Sequence, residues 1–385
     1  MISTLIIFDK FLFLIITINV FYLLFFSFFS LKNTKHSSKF SPKKSKFLVL
    51  IPAFKEDKVI MNSVNSVLAQ DYPIENFDLI VISDRMSEQT NTALSNLLLK
   101  LLVISPEIST KGRAMSYAMS VVDNMDYDLV AILDADNIVD NKFLANLNDA
   151  YYSGSKAIQA HRVAKSINSE MAVLDAISEE INNSIFRLGH VNIGLSSALI
   201  GSGMAIEYKL FKSNCKKLVS TGEDKELEIL LLRDGVYIDF LNDVFVYDQK
   251  VDKEDAFYNQ RRRWLASQLW SLYTGIKYLP KAIVKNNIDY IDKIFQWTML
   301  PRIILIGFIA IMIGITTLFK WQLSLKWWVV LFLLTFAFVM AIPDYLVSKK
   351  NSKALKRLPI LFFLMLMNFF RLRGASKNFI HTKKG

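Results

Sequence analysis

The chain has 385 residues, of which 52% are hydrophobic, with a positive mean hydropathy, a net charge of +11 and a single cysteine, Cys215. One cysteine excludes an intramolecular disulfide framework and any multi-Cys zinc site. The lysines cluster beside apolar runs, as cytoplasmic loops of membrane proteins do, which argues against nucleic acid as the partner of the excess charge.

Residues 11–31 form an unbroken apolar run whose strongly polar member is Asn19. This is long enough to cross a hydrocarbon core as a helix and too long, with no small-residue cleavage site, for a signal peptide. Lys32, Lys35, Lys39, Lys43, Lys44 and Lys46 follow, so an uncleaved anchor over 1–31 is expected with its start outside. A soluble domain is expected over 47–264. Buried strands are predicted at Phe47–Ile51, Leu79–Ile82, Leu101–Ile104 and Leu129–Leu133, with polar helices between them and Lys111-Gly112-Arg113 opening one to Val122. That alternation predicts a doubly wound parallel sheet of the α/β class, with ligands beyond the carboxyl ends of its strands. Neither GxGxxG nor a P-loop is present, against a dinucleotide fold or a P-loop NTPase.

Acids stand at those strand ends: Glu56 and Asp57, Asp84, and Asp134-Ala135-Asp136. Two carboxylates one residue apart converge in a turn and can hold a hard divalent cation that grips substrate phosphates, though alone the same pair reads equally as a solvated acidic turn. A helix is expected over Asn141–Tyr152, a strand over Ala157–Val163 and a helix over Ser169–Leu188. Gly201-Ser202-Gly203-Met204 reads as either a close backbone approach to a ligand or a flexible loop. Thr221-Gly222-Glu223-Asp224 precedes a helix over Lys225–Arg233, where the acids complement the helix dipole, a place a catalytic carboxylate can share.

Gln260-Arg261-Arg262-Arg263-Trp264 is the most basic point of the soluble part and, with Leu265, Leu269, Trp270 and Tyr273 following, reads on its own as a membrane-surface patch. Over 265–300, Lys277, Lys281 and Lys285 among apolar positions suit amphipathic helices in the bilayer interface. Two spans are expected within 301–348, Ile303–Phe319 and Trp327–Val347, joined by an outside loop Lys320–Lys326; Lys349, Lys350, Lys353, Lys356 and Arg357 return the chain to the cytoplasm. Within 355–373, the thirteen apolar residues Leu358–Phe370, followed by Arg371 and Arg373, are short for a crossing and read as an interfacial or re-entrant helix. His36, His161, His190 and His381 are scattered and are assigned no role.

These motifs, in this order, resemble the membrane-integrated family 2 glycosyltransferases, the group of the cellulose, hyaluronan and poly-N-acetylglucosamine synthases. The matching segments are Pro52-Ala-Phe-Lys-Glu56, Asp84, Lys111-Gly112, Asp134-Ala-Asp136, Gly201-Ser-Gly-Met204, Gly222-Glu-Asp224 and Gln260-Arg-Arg-Arg-Trp264, over roughly 47–264. The resemblance implies a GT-A fold that transfers sugar from a UDP-sugar with inversion, at the cytosolic face of a multi-pass protein of the inner (cytoplasmic) membrane, for polysaccharide or capsule synthesis. It implies that Pro52, Ala53, Phe54, Glu56, Asp84, Lys111, Asp134, Ala135, Asp136, Gln260, Arg263 and Trp264 bind the nucleotide-sugar. Asp134 and Asp136 would hold Mg²⁺ or Mn²⁺, Asp224 would be the general base, and Gly203, Met204, Glu223 and Trp264 would border a glycan or lipid-linked acceptor.

The chemistry is consistent with one carboxylate serving as base. Loss of a nucleoside diphosphate needs charge stabilisation, which a divalent ion and an arginine provide, and a single positioned carboxylate suffices for one-step inversion. A flat Trp ring suits a sugar face. Phe54-Lys55 departs from the family's usual pair before the Glu, and Asp84-Arg85-Met86 is less acidic than its common form. Three spans are fewer than the large processive synthases carry, so a homo-oligomer or accessory subunit completes a channel, or the enzyme extends a lipid-linked acceptor once. The competing expectation is a non-catalytic scaffold or export component that keeps the fold, against which intact Asp134, Asp136, Asp224 and Arg263 speak.

Overall fold

The computed structural model describes residues 2–32, 40–107, 109–122, 126–252 and 254–370; Lys35, His36, Lys39, Arg371, Arg373 and His381 lie outside the described residues. Eight strands form one sheet: β1 (Phe47–Phe54), β2 (Phe77–Asp84), β3 (Lys100–Ile104), β4 (Leu129–Ile132), β5 (Ile138–Val139), β6 (Ala157–Ala164), β7 (Met204–Glu207) and β8 (Ile238–Asp248). Their spatial order is β3-β2-β1-β4-β7-β6-β8-β5. The first four strands are parallel, as the buried apolar runs predict. The expectation of an all-parallel sheet fails beyond β4: β7 lies antiparallel to both β4 and β6, β6 and β8 pair in parallel, and β5 is antiparallel to β8. Between β6 and β7 the chain passes through the Glu170–Asn183 helix and residues 184–203, and it then runs β7 opposite to both its neighbours.

Side chains alternate across a strand, so each of β1, β2 and β4 feeds two cores. Val49, Ile51, Leu79, Val81 and Ala131 meet the Ile60–Leu68 and Phe143–Tyr152 helices. Leu48, Leu50, Ile80, Ile82, Val130 and Ile132 meet helices Lys111–Val121, Tyr208–Cys215, Glu223–Arg233 and Ile288–Thr298 on the other face. Each such fully buried aliphatic side chain contributes about 1.5–3 kcal/mol relative to exposure. The strands are held from both sides, and their carboxyl ends become a fixed platform.

Two helices are long and apolar enough to cross a membrane, within Ile7–Ser30 and Arg302–Ala341. A straight 40-residue helix would run about 60 Å, roughly twice a hydrocarbon core. Lys320 breaks it, with non-helical φ −160° and ψ 94°. The expected loop over Lys320–Lys326 is therefore a break at its first residue, with helix resuming at once. Both halves pack on the N-terminal helix: Ile16, Val20, Leu23 and Phe26 share a core with Leu305, Ile309 and Ile313, and with Val330, Leu334 and Ala341. Asp9 bonds Lys326 and the Trp327 indole Nε1 (2.9 Å), while Ser27 Oγ donates to Ala337 O (2.7 Å). Residues 9 to 27 thus run alongside 327 to 337 in the same direction. At Gly189 the backbone of Phe26 comes so close that a Cβ would overlap it, and His190 stacks on the Phe26 ring at 3.6 Å. The Leu358–Phe370 helix lies against Glu254–Gly275 and the start of Arg302–Ala341, burying Leu361 and Met365.

Candidate active site

The parallel register sets Phe54 beside Asp84, and Leu50 beside Ile132, so β1, β2 and β4 deliver Pro52–Glu56, Asp84 and Asp134–Asp136 to one edge. Chain direction reverses sharply there, Lys55 and Arg85 taking φ of 56° and 55°, and the Lys55 N–H donates to Asp84 O (3.1 Å). Above this edge lies a cavity of ≈ 430 Å³, within the range of small-ligand sites. Pro52, Ala53, Phe54, Glu56, Asp84, Lys111, Asp134, Ala135, Asp136, Glu223, Asp224, Gln260, Arg263 and Trp264 all line it.

Thr110 caps the Lys111–Val121 helix, its Oγ1 accepting from Arg113 N (3.3 Å), which places Lys111 in the first turn. The Lys111 Nζ donates to the Asp134 carboxylate and to Gly201 O (2.7 Å), and lies 3.8 Å from Glu223 Oε1. Burial alone would lower the Lys111 pKa, but Asp134 and Glu223 outweigh it and hold the ammonium above its usual value. Burial pushes the Glu223 carboxyl up to about 7 against the opposing pull of Lys111. Asp224 follows at the start of the Glu223–Arg233 helix, its Oδ1 accepting from Lys225 N (2.9 Å). Gly222 fixes this turn against the Glu254–Gly275 helix: a Cβ there would overlap Ser267 Oγ. That contact locks Glu223 and Asp224 onto the helix that carries Gln260, Arg263 and Trp264.

Two expected residues are not brought to the cavity. Gly203 and Met204, read as bordering an acceptor, belong to the sheet. Gly203 N–H donates to Ile132 O (2.8 Å), its carbonyl accepts from Ala160 N (2.7 Å), and Met204 is fully buried in β7 between β4 and β6. Gly203 and Met204 serve strand entry, while Gly201 of the same motif lines the cavity.

Conversely, the cavity includes charges that no motif marked. Arg162, in β6, bonds Glu179 (2.8 Å) and lies 3.9 Å from Asp134 and 3.8 Å from Asp248. Burial would raise the Glu179 pKa, yet Arg162, Lys250 and Arg187 together hold it down at about 2. Asp248, at the end of β8, pairs with Lys250 (3.1 Å). The Asn137 amide ties the two acids together, donating to Asp136 Oδ1 (3.5 Å) and Asp248 Oδ1 (3.3 Å). The available signal was the acid ending β8's alternating run, 112 residues from Asp136. Arg261 lies 4.4 Å over the Trp264 ring and bonds Asp175 (2.7 Å).

Among the described residues no group of three or more His, Cys, Asp or Glu side chains is arranged to hold a metal alone. The donor chemistry nevertheless fits a divalent ion shared with a substrate. Mg²⁺ or Mn²⁺ in phosphate sites uses one or two carboxylates plus phosphate oxygens, and the linked Asp136 and Asp248 form such a pair. Asp134, expected as a ligand beside Asp136, is engaged by Lys111, as Asp248 is by Lys250.

Residues 42–267 match the glycosyltransferase-like family 2, well over half of the chain. The chain belongs to that family. Its fold is GT-A-like, a mixed sheet flanked by helices. The chain is 22% identical over 257 residues to the probable glycosyltransferase YdaM of Bacillus subtilis (strain 168), covering 61% of this chain and 57% of that relative's length. The fold is shared with the mannosyltransferase PcManGT from Pyrobaculum calidifontis, solved in complex with GDP-Man and Mn²⁺: TM-score 0.54, 15% identity, 85% of this chain and 96% of that one. Staphylococcus aureus TarS, solved in complex with UDP-GlcNAc, is a weaker likeness, at TM-score 0.40 and 18% identity over 86% of this chain and 90% of that one.

Proposed function

We propose that this glycosyltransferase moves a sugar from a UDP-sugar, with inversion and with a divalent cation, to a glycan or lipid-linked acceptor at the cytosolic face of a membrane, in the manner of the polysaccharide synthases it resembles. The observation that carries the reading is one cavity joining the carboxyl edge of the parallel strands to Asp224 and to Gln260, Arg263 and Trp264. Pro52–Glu56 and Asp84 bind base and ribose. Asp136, with Asp134 or Asp248 beside it, would hold Mg²⁺ or Mn²⁺, which when bound would supply positive charge toward the leaving diphosphate. Lys111, kept cationic by Asp134 and Glu223, adds a fixed positive charge beside that group. Asp224 takes the proton from the attacking acceptor hydroxyl as the new bond forms at the anomeric carbon, and one base gives a single displacement. Trp264 offers a flat apolar surface for a sugar ring.

The membrane reading rests on the apolar Ile7–Ser30 helix and the two halves of Arg302–Ala341, three crossings in all, with the Asp9, Lys326 and Trp327 cluster on the outer side. Lys43, Lys44 and Lys46 then mark the cytosolic side. Exposed Ile276, Ile283, Val284 and Ile288 beside Lys277, Lys281 and Lys285 suit the bilayer interface.

The test is nucleoside diphosphate release by the detergent-purified protein across a panel of UDP- and GDP-sugars, with Mn²⁺, Mg²⁺ or EDTA. Turnover of one UDP-sugar, lost in EDTA and in Asp224→Asn, is expected. Turnover of GDP-sugars alone would overturn the donor assignment, and full activity in Asp224→Asn would remove the base.

A further inference from the structure

Opposite Lys111 and Glu223 the cavity is lined from helices Glu170–Asn183, Glu254–Gly275, Arg302–Ala341 and Leu358–Phe370 and by Arg162 of β6, which also reaches toward Asp134 (3.9 Å). Among the described residues this wall holds more positive charge than it pairs. Glu179 is shared by Arg162, Arg187 and Lys250, Asp175 is taken by Arg261, and Asp248 by Lys250 and Arg162. Arg302 reaches only neutral atoms, its Nη2 donating to Ser178 O and Oγ at 3.0 Å each. Among the described residues it has no carboxylate within ion-pair distance; in its field the like charges of Arg261 and Arg187 oppose the single carboxylate of Glu179, which Arg162, Arg187 and Lys250 already share. Hydrogen-bond donors are also left over: among the described residues Arg162 Nε, Arg261 Nε and Arg302 Nη1 are buried without an acceptor. All three side chains line the cavity, and Arg162 and Arg261 are more than nine-tenths buried.

Guanidinium groups removed from water are costly unless paired, and so are unsatisfied N–H donors. An oxyanion corrects both deficits at once, and a phosphate matches the guanidinium fork. The same cavity also presents apolar side chains, Phe186, Leu300, Ile303 and Met365, among its polar ones. Ile303 lies in the first turn of a helix long and apolar enough to cross a membrane. The occupant suited to this wall therefore carries a phosphate and an apolar chain together.

We propose that Arg302 and Arg261, supported by Arg162, bind the phosphate headgroup of an amphiphilic, lipid-anchored acceptor. This rests on the transferase reading above and narrows its acceptor to an anionic class. Phosphate here is a handle; the attacking hydroxyl is carried elsewhere on the acceptor, toward Asp224. Arg261, packed on the Trp264 ring, links the handle to the ring that flanks the sugar.

The test is calorimetric binding to the detergent-purified full chain of decyl phosphate, decanol and inorganic phosphate, with UDP and Mn²⁺ binding as control. Decyl phosphate is expected to bind about tenfold or more tighter than decanol, and Arg302→Gln to erase most of that difference while UDP still binds. Arg302→Lys, which keeps the charge without the fork, is expected to retain part of it and serves if the Gln variant melts early. Equal affinity for decyl phosphate and decanol, with UDP bound normally, overturns the inference and leaves the transferase reading standing. Inorganic phosphate binding as tightly as decyl phosphate, in an Arg302-dependent way, overturns the lipid assignment. Failure of the wild-type chain to bind any nucleoside diphosphate overturns the transferase reading and this inference with it.

Discussion

Replacing Glu223 by Gln tests the electrostatics of the site through stability. Glu223 is buried beside Lys111 and Asp224, and its carboxyl titrates near 7 in the folded chain against 4.5 in a model peptide. A raised folded pKa means that the native state holds the proton more tightly than the unfolded chain. The stabilisation is then fully present below pH 4.5 and is lost as pH rises toward 7. At 1.36 kcal/mol per pH unit the loss is up to about 3 kcal/mol. The side chain is 11% exposed, so solvent screening removes little of it. Gln is uncharged at all pH and lacks this titration. Thermal melting of wild type and Glu223→Gln between pH 4.5 and 8 should show near-equal stability at the acid end. The variant should be progressively more stable as pH rises, by several degrees at pH 8, with the difference levelling off above 7. Parallel profiles, or a wild type that gains on the variant with rising pH, would refute the assignment of a costly ionised carboxylate at this position.

Other substitutions test the architecture around it. Gly222→Ala drives a methyl into Ser267 and should cost about 1–3 kcal/mol in a melting experiment, with transfer activity falling further because Asp224 shifts. Glu179→Gln strips the shared anion from Arg162, Arg187 and Lys250 and should destabilise by about 3–5 kcal/mol in denaturant titration. Glu179 carries a depressed pKa, so its stabilisation should be present at neutral pH and disappear only as pH falls from 4.5 toward 2. Chelation by EDTA should stop nucleoside diphosphate release and Mn²⁺ should restore it. Asp136→Asn and Asp248→Asn should each raise the Mn²⁺ concentration required, whereas an unchanged Mn²⁺ dependence in both would exclude this pair as the metal-holding acids.

The parallel half of the sheet was legible because β1, β2 and β4 are buried on both faces and read as unbroken apolar runs with acids at their ends. The same logic pointed to Asp84, Asp134 and Asp136, and the family resemblance to Lys111; the structure brings all four to one cavity. What escaped lies where local pattern is too short or pairing too distant. β7 has four residues, too few for a period, and Gly203-Met204 just before and within it looked like a ligand loop when the backbone there completes a ladder. Asp248 joins Asp136 only because β8 pairs with β6, a non-local choice that no window of sequence reveals. Arg162 and Glu179 would be surface residues by composition, and only their mutual burial makes them structural. At Lys320 the basic residue itself suggested a loop, but the helix needs just one residue out of helical geometry to turn.

The N-terminal helix also sets a timetable for the chain. Its inward residues, Ile16, Val20, Leu23 and Phe26, find their partners in segments made much later: Ile181, Ile185 and His190, then Leu305 and Ile309, and last Leu334 and Ala341. During synthesis the first helix emerges with a face that nothing yet made can cover, and it must wait for some 300 further residues before Asp9 meets Trp327. The segment that matches the family cannot be excised cleanly at its boundary. A cut after residue 267 would release the sheet but leave Gly189 and His190 facing a helix whose other supports were gone.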